Sequence, residues 1–181
     1  MKIVRPANIK PVRKPKPGET GASSFCVTIE VSMPSEIDAI SPLMDQLMRL
    51  IEGSCCITGS EFAVELALRE ALNNAVVHGN AMDPHKFVKV RCRCESGQGL
   101  WLSVADQGKG FDPGAVADPL KRAGLNAEHG RGIYLMNWAM DRVVFESGGT
   151  EVCMWKSAAR EGKAERPNQA VIGRSYTNHE P

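Results

Sequence analysis

The sequence lacks an apolar run of the length that crosses a bilayer, about 20 residues, and its N-terminal residues lack the apolar core of a signal peptide. It also has almost no net charge, since 22 basic and 21 acidic residues leave a formal charge of +1. Such a balance implies neither a nucleic-acid-binding surface nor an acidic shell. We therefore expect a cytoplasmic protein that binds no membrane and makes no direct contact with nucleic acid.

Paired cysteine motifs are also absent. The six cysteines form no Cys-x-x-Cys arrangement of the kind that binds zinc. Cys92 and Cys94 alternate within a predicted strand, so both side chains should face one side as small apolar core residues. We expect no cysteine metal site and, in a reducing cytosol, no disulfide.

Two common nucleotide-binding motifs are missing as well. No G-x-x-x-x-G-K-[ST] segment occurs, which excludes a phosphate-binding P-loop. The catalytic-loop and Asp-Phe-Gly motifs of eukaryotic-type protein kinases are likewise absent.

The strongest pattern that is present is an amphipathic helix over residues 61–80. Its apolar residues recur every three to four positions, which predicts a buried face; they are Phe62, Leu66, Leu68, Leu72, Ala75 and Val76. Thr58 and Glu61 have the spacing of a capping box, and Gly79 is expected to end the helix in the left-handed conformation.

One edge of this helix carries polar chemistry, because Glu70, Asn74 and His78 follow one another at intervals of four residues. A carboxylate one turn from a carboxamide suggests an acid/base group beside a neutral oxygen ligand for Mg²⁺. The alternative is the solvent face of an ordinary core helix. His78 is more typical of a helix-end residue than of a catalyst.

The rest of the chain predicts an α+β fold. Alternating apolar residues predict strands over 25–33, 87–95 and 100–106, and a hairpin over 142–156 turns at two glycines. Ser35 or Ser41 is expected to cap a helix that ends near residue 51 and buries one apolar face; that face is Ile37, Ile40, Leu43, Met44, Leu47, Leu50 and Ile51. Helices on one face of a mostly antiparallel mixed sheet form a two-layer α/β sandwich.

Composition divides the chain into a domain and two tails. Residues 1–23 are basic and proline-rich, which predicts a flexible arm, and residues 158–181 are polar, which predicts a disordered tail. Residues 24–157 should form the domain.

Two glycine motifs follow the strands. Asp106 has the inward phase of its strand and begins Asp-x-Gly-x-Gly, so its carboxylate needs a hydrogen-bond partner. Gly130-Arg131-Gly132 stands where a loop enters a helix, and such an end offers free N–H groups to an anion. For each motif taken alone, an ordinary turn is the commoner explanation.

The motifs are more specific together. Glu70 with Asn74, Asp-x-Gly-x-Gly, Gly-x-Gly at a helix start and Gly149-Thr150 occur in this order within residues 25–157. This order resembles the GHKL ATPase superfamily of DNA gyrase, heat-shock-90 chaperones, histidine kinases and MutL mismatch-repair proteins. The compact form resembles the bacterial anti-sigma-factor serine/threonine-protein kinases, and the resemblance implies the Bergerat ATP-binding fold.

The resemblance also implies roles for single residues in binding ATP and Mg²⁺. Glu70 would be the general base, Asn74 the Mg²⁺ ligand, Asp106 the acceptor from the adenine amino group, Gly108 and Gly110 the turn that admits adenine, Gly130 and Gly132 the phosphate glycines, and Thr150 a residue near adenine. Residues 113–129 would form the ATP lid, and Arg131 or Lys109 would help to neutralise phosphate charge.

The function expected from this resemblance is an ATP- and Mg²⁺-dependent protein serine/threonine kinase that regulates transcription. Its partners would be an anti-sigma-factor antagonist and/or a sigma factor, and family members of this size commonly form homodimers. Some such kinases carry an arginine where this chain has Glu128.

The main alternative is a non-catalytic, ATP-dependent switch that sequesters or activates a regulatory partner. An ATPase that drives conformational work would need further domains. A sensor histidine kinase is disfavoured because the chain has no room for a helical domain with a phospho-accepting histidine.

Overall fold

The computed structural model describes residues 26–54, 56–95, 97–112 and 128–158. The predicted N-terminal arm, nearly all of the predicted lid and the C-terminal tail lie outside these residues. Among the described helices, none is long and apolar enough to cross a membrane.

The described residues form a single antiparallel sheet and three α-helices. In chain order the elements are β1 (Cys26–Pro34), a 3-10 turn (Ile37–Ala39), α1 (Ile40–Gly53), α2 (Glu61–Asn73), a π-helix (Asn74–Gly79), β2 (Phe87–Glu95), β3 (Gly99–Ala105), α3 (Glu128–Ala139), β4 (Arg142–Glu146), a 3-10 turn (Ser147–Gly149) and β5 (Glu151–Ser157). The strand order is β1-β2-β3-β5-β4, and every pairing between these strands is antiparallel.

The helices cover one face of this sheet, which confirms the predicted two-layer α+β sandwich. In β2 alternate side chains are buried, as the sequence pattern predicted; they are Val88, Val90, Cys92 and Cys94. They join one apolar core with inward residues of the other strands and with the buried faces of α1 and α2. Alternation fixes the register, because a slip of one residue would turn this set towards solvent.

The start of α1 differs from the prediction. The helix begins at Ile40 after a 3-10 turn, and no side chain caps it, so neither Ser35 nor Ser41 has the predicted role. Ile37 and Leu50 are exposed rather than buried, at 53% and 43%, whereas Met48 belongs to the core. Ile37 lies in the 3-10 turn, where the helical phase of α1 does not yet apply.

The start of α2 also corrects two expectations. Its N-cap is Ser60, and the Glu61 carboxylate accepts from the N–H of Gly59 at 3.0 Å, so the predicted capping box does not form as expected. Phe62 is 73% exposed, because the buried stripe of α2 includes Val64 and Leu68. Two helical positions span about 200°, so Phe62 points away from that stripe.

The cysteines correct a further expectation. Cys56 in the α1–α2 connection forms a disulfide with Cys94 at the end of β2, although the two are 38 positions apart in sequence. No disulfide was expected in a reducing cytosol, but the fold brings these two residues together. Cys92 is a free core residue as predicted, and burial raises the pKa of its thiol to about 12.

Candidate functional site

The polar edge of α2 ends in a change of helix type. The α-helix stops at Asn73 and continues as a π-helix over Asn74–Gly79, in which the N–H of Asn80 bonds to the carbonyl of Ala75 at 2.8 Å. A π-turn holds one more residue than an α-turn, so it rotates the side chains that follow it. Short π-segments of this kind occur often at functional sites.

A first cluster joins α2 to α3. A β-carbon added to Gly132 would lie 2.9 Å from Oε2 of Glu70, and 3.2 and 3.4 Å from Nδ2 and Oδ1 of Asn74. The α3 backbone therefore passes directly over the predicted base and the predicted metal ligand. Only a residue without a side chain allows this close approach.

The predicted Gly-x-Gly motif lies inside α3 rather than before it. The helix begins at Glu128, so Gly130 and Arg131 are in its first turn. The first four N–H groups of a helix have no partner within it, and they favour an anion. The contact of Gly132 with Glu70 and Asn74 thus places this end of α3 next to a carboxylate and an amide.

A second cluster surrounds Asp106 at the end of β3. Its backbone N–H donates to the carbonyl of Thr150 at 2.9 Å, and its Oδ1 accepts from the N–H of Gly108 at 2.8 Å. A β-carbon on Gly79 would lie 2.7 Å from Oδ1 and closer still to the rest of the carboxylate. Gly79 is therefore required for close approach, and it lacks the predicted left-handed conformation.

The Asp106 carboxyl is half-buried, and burial raises its pKa above the ordinary value. The Gly108 hydrogen bond and the charge of Lys86 oppose this shift without cancelling it. Burial has removed part of the hydration of the carboxylate. A ligand that donates a hydrogen bond to the carboxylate would replace the lost hydrogen bonds to water.

The turn after Asp106 packs on the β4–β5 connection. Gly110 has a positive φ of 72°, and a β-carbon there would collide with the carbonyl of Gly148. The N–H of Phe111 donates to that carbonyl at 3.1 Å. The hydroxyl of Thr150 donates to the carbonyl of Ser147 at 3.0 Å, which leaves its oxygen able to accept. The predicted adenine-side residues are thus joined to one another.

The structure therefore brings the predicted residues into two groups, and the two groups contact consecutive parts of one helix. Glu70 and Asn74 lie against Gly132, and five residues after Asn74 the same helix reaches Asp106 through Gly79. Side chains of Lys109 and Arg131 are exposed. His78 is also exposed.

Sequence reasoning did not identify three residues of this site. Gly79 was expected only to end a helix, and Asn80 and Gln107 had no expected role. Gly79 offered a signal, since a glycine within a helical pattern often has a packing reason. The hydrogen bonds of Gln107 with Asn80 and with Phe87 span 27 and 20 positions, so no local pattern could show them.

The two groups fit a nucleotide with its metal. The Gly132 backbone lies against a carboxylate oxygen and an amide oxygen, which are the kinds of ligand that Mg²⁺ prefers. The Asp106 carboxylate suits an amino group such as that of adenine. Within the described residues no group of three or more His, Cys, Asp or Glu could hold a metal alone. Asn74 would hold Mg²⁺ together with oxygens from the ligand.

Comparison with known sequences agrees with this geometry. No curated protein matches the chain closely enough to count as a relative. The family model of the histidine kinase-like ATPase domain matches residues 33–156, which is more than half of the chain and includes both groups. The chain therefore belongs to the histidine kinase-like ATPase domain family and carries an ATP-binding site.

Proposed function

We propose that the protein is an ATP- and Mg²⁺-dependent serine/threonine kinase of the anti-sigma-factor type. Its substrate would be a serine or threonine of an anti-sigma-factor antagonist. The observation that carries this proposal is the contact of Gly132 with Glu70 and Asn74, because it sets a carboxylate and an amide beside the first turns of α3. A phosphoryl transfer site needs a proton acceptor, a metal ligand and anion-binding N–H groups in one place.

Each residue has one role in this proposal. Glu70 accepts the proton of the substrate hydroxyl, and Asn74 holds Mg²⁺, which neutralises phosphate charge when bound. Asp106 accepts from the adenine amino group, with Thr150 nearby. The remaining site residues shape the space around the nucleotide or contact phosphate through N–H groups; they are Gly108, Gly110, Gly130, Arg131 and Gly132.

The proposed reaction needs only ATP and the hydroxyl group of the substrate as reactants. The substrate hydroxyl oxygen forms a bond to the γ-phosphorus while the bond from that phosphorus to the bridging β–γ oxygen breaks. ADP leaves with that oxygen, and Glu70 takes the hydroxyl proton. Such a transfer depends mainly on placement and charge neutralisation.

A second candidate is a non-catalytic switch that binds or releases its partner according to bound nucleotide. The sequence at the start of α3 favours it, because the helix begins at Glu128, where some kinases of this type carry an arginine. A missing arginine would weaken stabilisation of the transferring phosphate, whose charge must be neutralised.

The substitution Glu70→Gln separates the two functions, since it keeps the shape of the side chain and removes its basicity. Phosphate transfer would be measured from γ-labelled ATP to a panel of purified anti-sigma-factor antagonists, and ATP binding by calorimetry with and without Mg²⁺. For a kinase we expect transfer to fall by about 10²- to 10⁴-fold while ATP affinity stays within about threefold. A wild-type protein that binds an antagonist in an ATP-dependent manner without transfer would overturn the kinase proposal in favour of the switch.

The same proposal includes a sigma factor as a second partner and a homodimer as the working unit. Among the large apolar side chains near the end of the described residues, Trp138 is 52% exposed, whereas Met154 is in the core. Trp155 is half-buried, and it packs edge-on against Trp101 and beneath Arg142. Trp138 is thus the best of the three for a protein contact.

A further inference from the structure

The buried side chain of Asn80 connects three segments around Asp106. Asn80 is 0% exposed and directly follows the π-helix. Its Oδ1 accepts from the N–H of Gln107 at 2.7 Å, and its Nδ2 donates to the carbonyl of Phe87 at 3.2 Å. One amide group thereby ties the end of the site helix to the turn after β3 and to the first residue of β2.

Gln107 completes this connection from the other side. Its Oε1 accepts from the N–H of Phe87 at 2.7 Å. Both backbone polar groups of Phe87 are therefore bound by amide side chains. We call this arrangement of Asn80, Gln107 and Phe87 the amide clasp.

The backbone beside the clasp is strained. Ala81 and Met82 follow Asn80 with positive φ angles of 56° and 55°. Such a conformation is unfavourable for residues other than glycine, and it persists only where surrounding bonds determine it. The N–H of Met82 bonds to the carbonyl of Val76 at 2.8 Å, and the Asn80 side chain holds the other end.

The clasp acts on the carboxylate that the proposed function assigns to adenine. The Gln107 N–H belongs to the peptide group that follows Asp106, so its bond to Asn80 fixes that peptide plane. The next N–H, from Gly108, holds Oδ1 of Asp106. Without Asn80 the peptide could rotate, and the carboxylate would turn with it.

We propose that Asn80 and Gln107 are positioning residues that aim the Asp106 carboxylate at the 6-amino group of the nucleobase. The clasp thus sets the preference of the site for adenine over purines that lack this amino group. The inference rests on the proposed role of Asp106.

The test compares the affinities of the full chain for ATP and for purine riboside triphosphate, which lacks the 6-amino group. ATP can donate a hydrogen bond to the charged Asp106 carboxylate, whereas the analogue cannot. We therefore expect the wild type to bind ATP about tenfold or more tightly than the analogue. For Asn80→Ala we expect this ratio to fall at least about threefold, because the bond that is lost distinguishes the two ligands. A purely structural role of Asn80 would weaken both affinities equally and leave the ratio unchanged, which would overturn the inference.

Two variants of the exposed Gln107 provide an independent measurement should Asn80→Ala fail to fold. Gln107→Ala removes the acceptor for the Phe87 N–H and should lower the ratio of the two affinities. Gln107→Glu keeps an acceptor and should leave this ratio near the wild-type value. An unchanged ratio in Gln107→Ala would count against the clasp. A wild-type ratio near one would instead refute the role of Asp106, so the two failures are distinguishable.

Discussion

The backbone of Gly132 in α3 lies so close to Glu70 in α2 that an added β-carbon would be 2.9 Å from Oε2 of the carboxylate. Two helices that are far apart in sequence thus approach closely at this glycine, directly beside the predicted base. This contact explains why a glycine stands within α3, where it is intrinsically unfavourable.

The substitution Gly132→Ala should separate stability from nucleotide binding. Alanine favours the helix by about 0.5–1 kcal/mol, and the atoms that its β-carbon meets are the ends of the Glu70 and Asn74 side chains. We therefore expect a free energy of unfolding within about 1 kcal/mol of wild type. ATP affinity should fall about tenfold or more, since Glu70 and Asn74 must move.

Gly53→Ala is the matched control, because a β-carbon at the end of α1 meets no atom within 4 Å. It should leave ATP affinity unchanged in calorimetry. Wild-type affinity in Gly132→Ala would show that nucleotide binding does not need the close approach of α3 to Glu70.

The Asp106 carboxyl should reduce the stability of the protein without nucleotide. Burial raises its pKa above the ordinary value of 3.8, so folding becomes less favourable as pH rises through this range and the group ionises. Asp106→Asn should therefore melt at a higher temperature than wild type at neutral pH. The difference should shrink as pH is lowered towards 4.

Saturating ATP should reverse that order. Ligand at 100 times its Kd adds about 2.7 kcal/mol to wild type, whereas Asp106→Asn should gain much less. Thermal melts from pH 4 to 8, with and without ATP and Mg²⁺, test both statements. An Asp106→Asn protein that is less stable at neutral pH without ATP would contradict the first.

Asp141 should have the opposite pH dependence. Burial acts to raise its pKa, but the N–H of Ser157 at 2.7 Å and the charge of Lys156 at 3.2 Å outweigh burial and lower it. Its stabilisation should be present above the ordinary value of 3.8 and be lost as pH falls through the lowered one.

The substitution Asp141→Asn should cost about 0.5–1.5 kcal/mol at neutral pH, typical of a lost hydrogen bond. Urea unfolding at pH 7 and near pH 3.5 measures this cost, which should be smaller at the lower pH. A cost that is equal at both pH values would show that charge plays no part.

A pair of substitutions in α2 tests the direction of its buried face. Leu68→Ala removes a fully buried side chain and should cost about 2–5 kcal/mol. Phe62→Ala changes an exposed ring and should stay within about 0.5 kcal/mol of wild type. Chemical denaturation with a common m value measures both, and a large loss from Phe62→Ala would place that ring in a contact that the structure does not contain.

Local sequence patterns were enough to predict the strands, the two-layer architecture and the polar edge of α2. Period-two alternation in β2 required one buried face, and short connections made antiparallel neighbours of β2 with β3 and of β4 with β5. The motif order was also local information, because Glu70 and Asn74 are one turn apart and Asp106 ends a strand.

Which residues those motifs contact depends on how the separate segments pack together. The contacts of Gly132 with Glu70, of Gly79 with Asp106 and of Asn80 with Gln107 each join separate segments. Periodicity records which side of an element is apolar, but a close approach without a side chain leaves no periodic trace. For the same reason the Cys56–Cys94 disulfide and the exposure of Phe62 depended on how the layers pack.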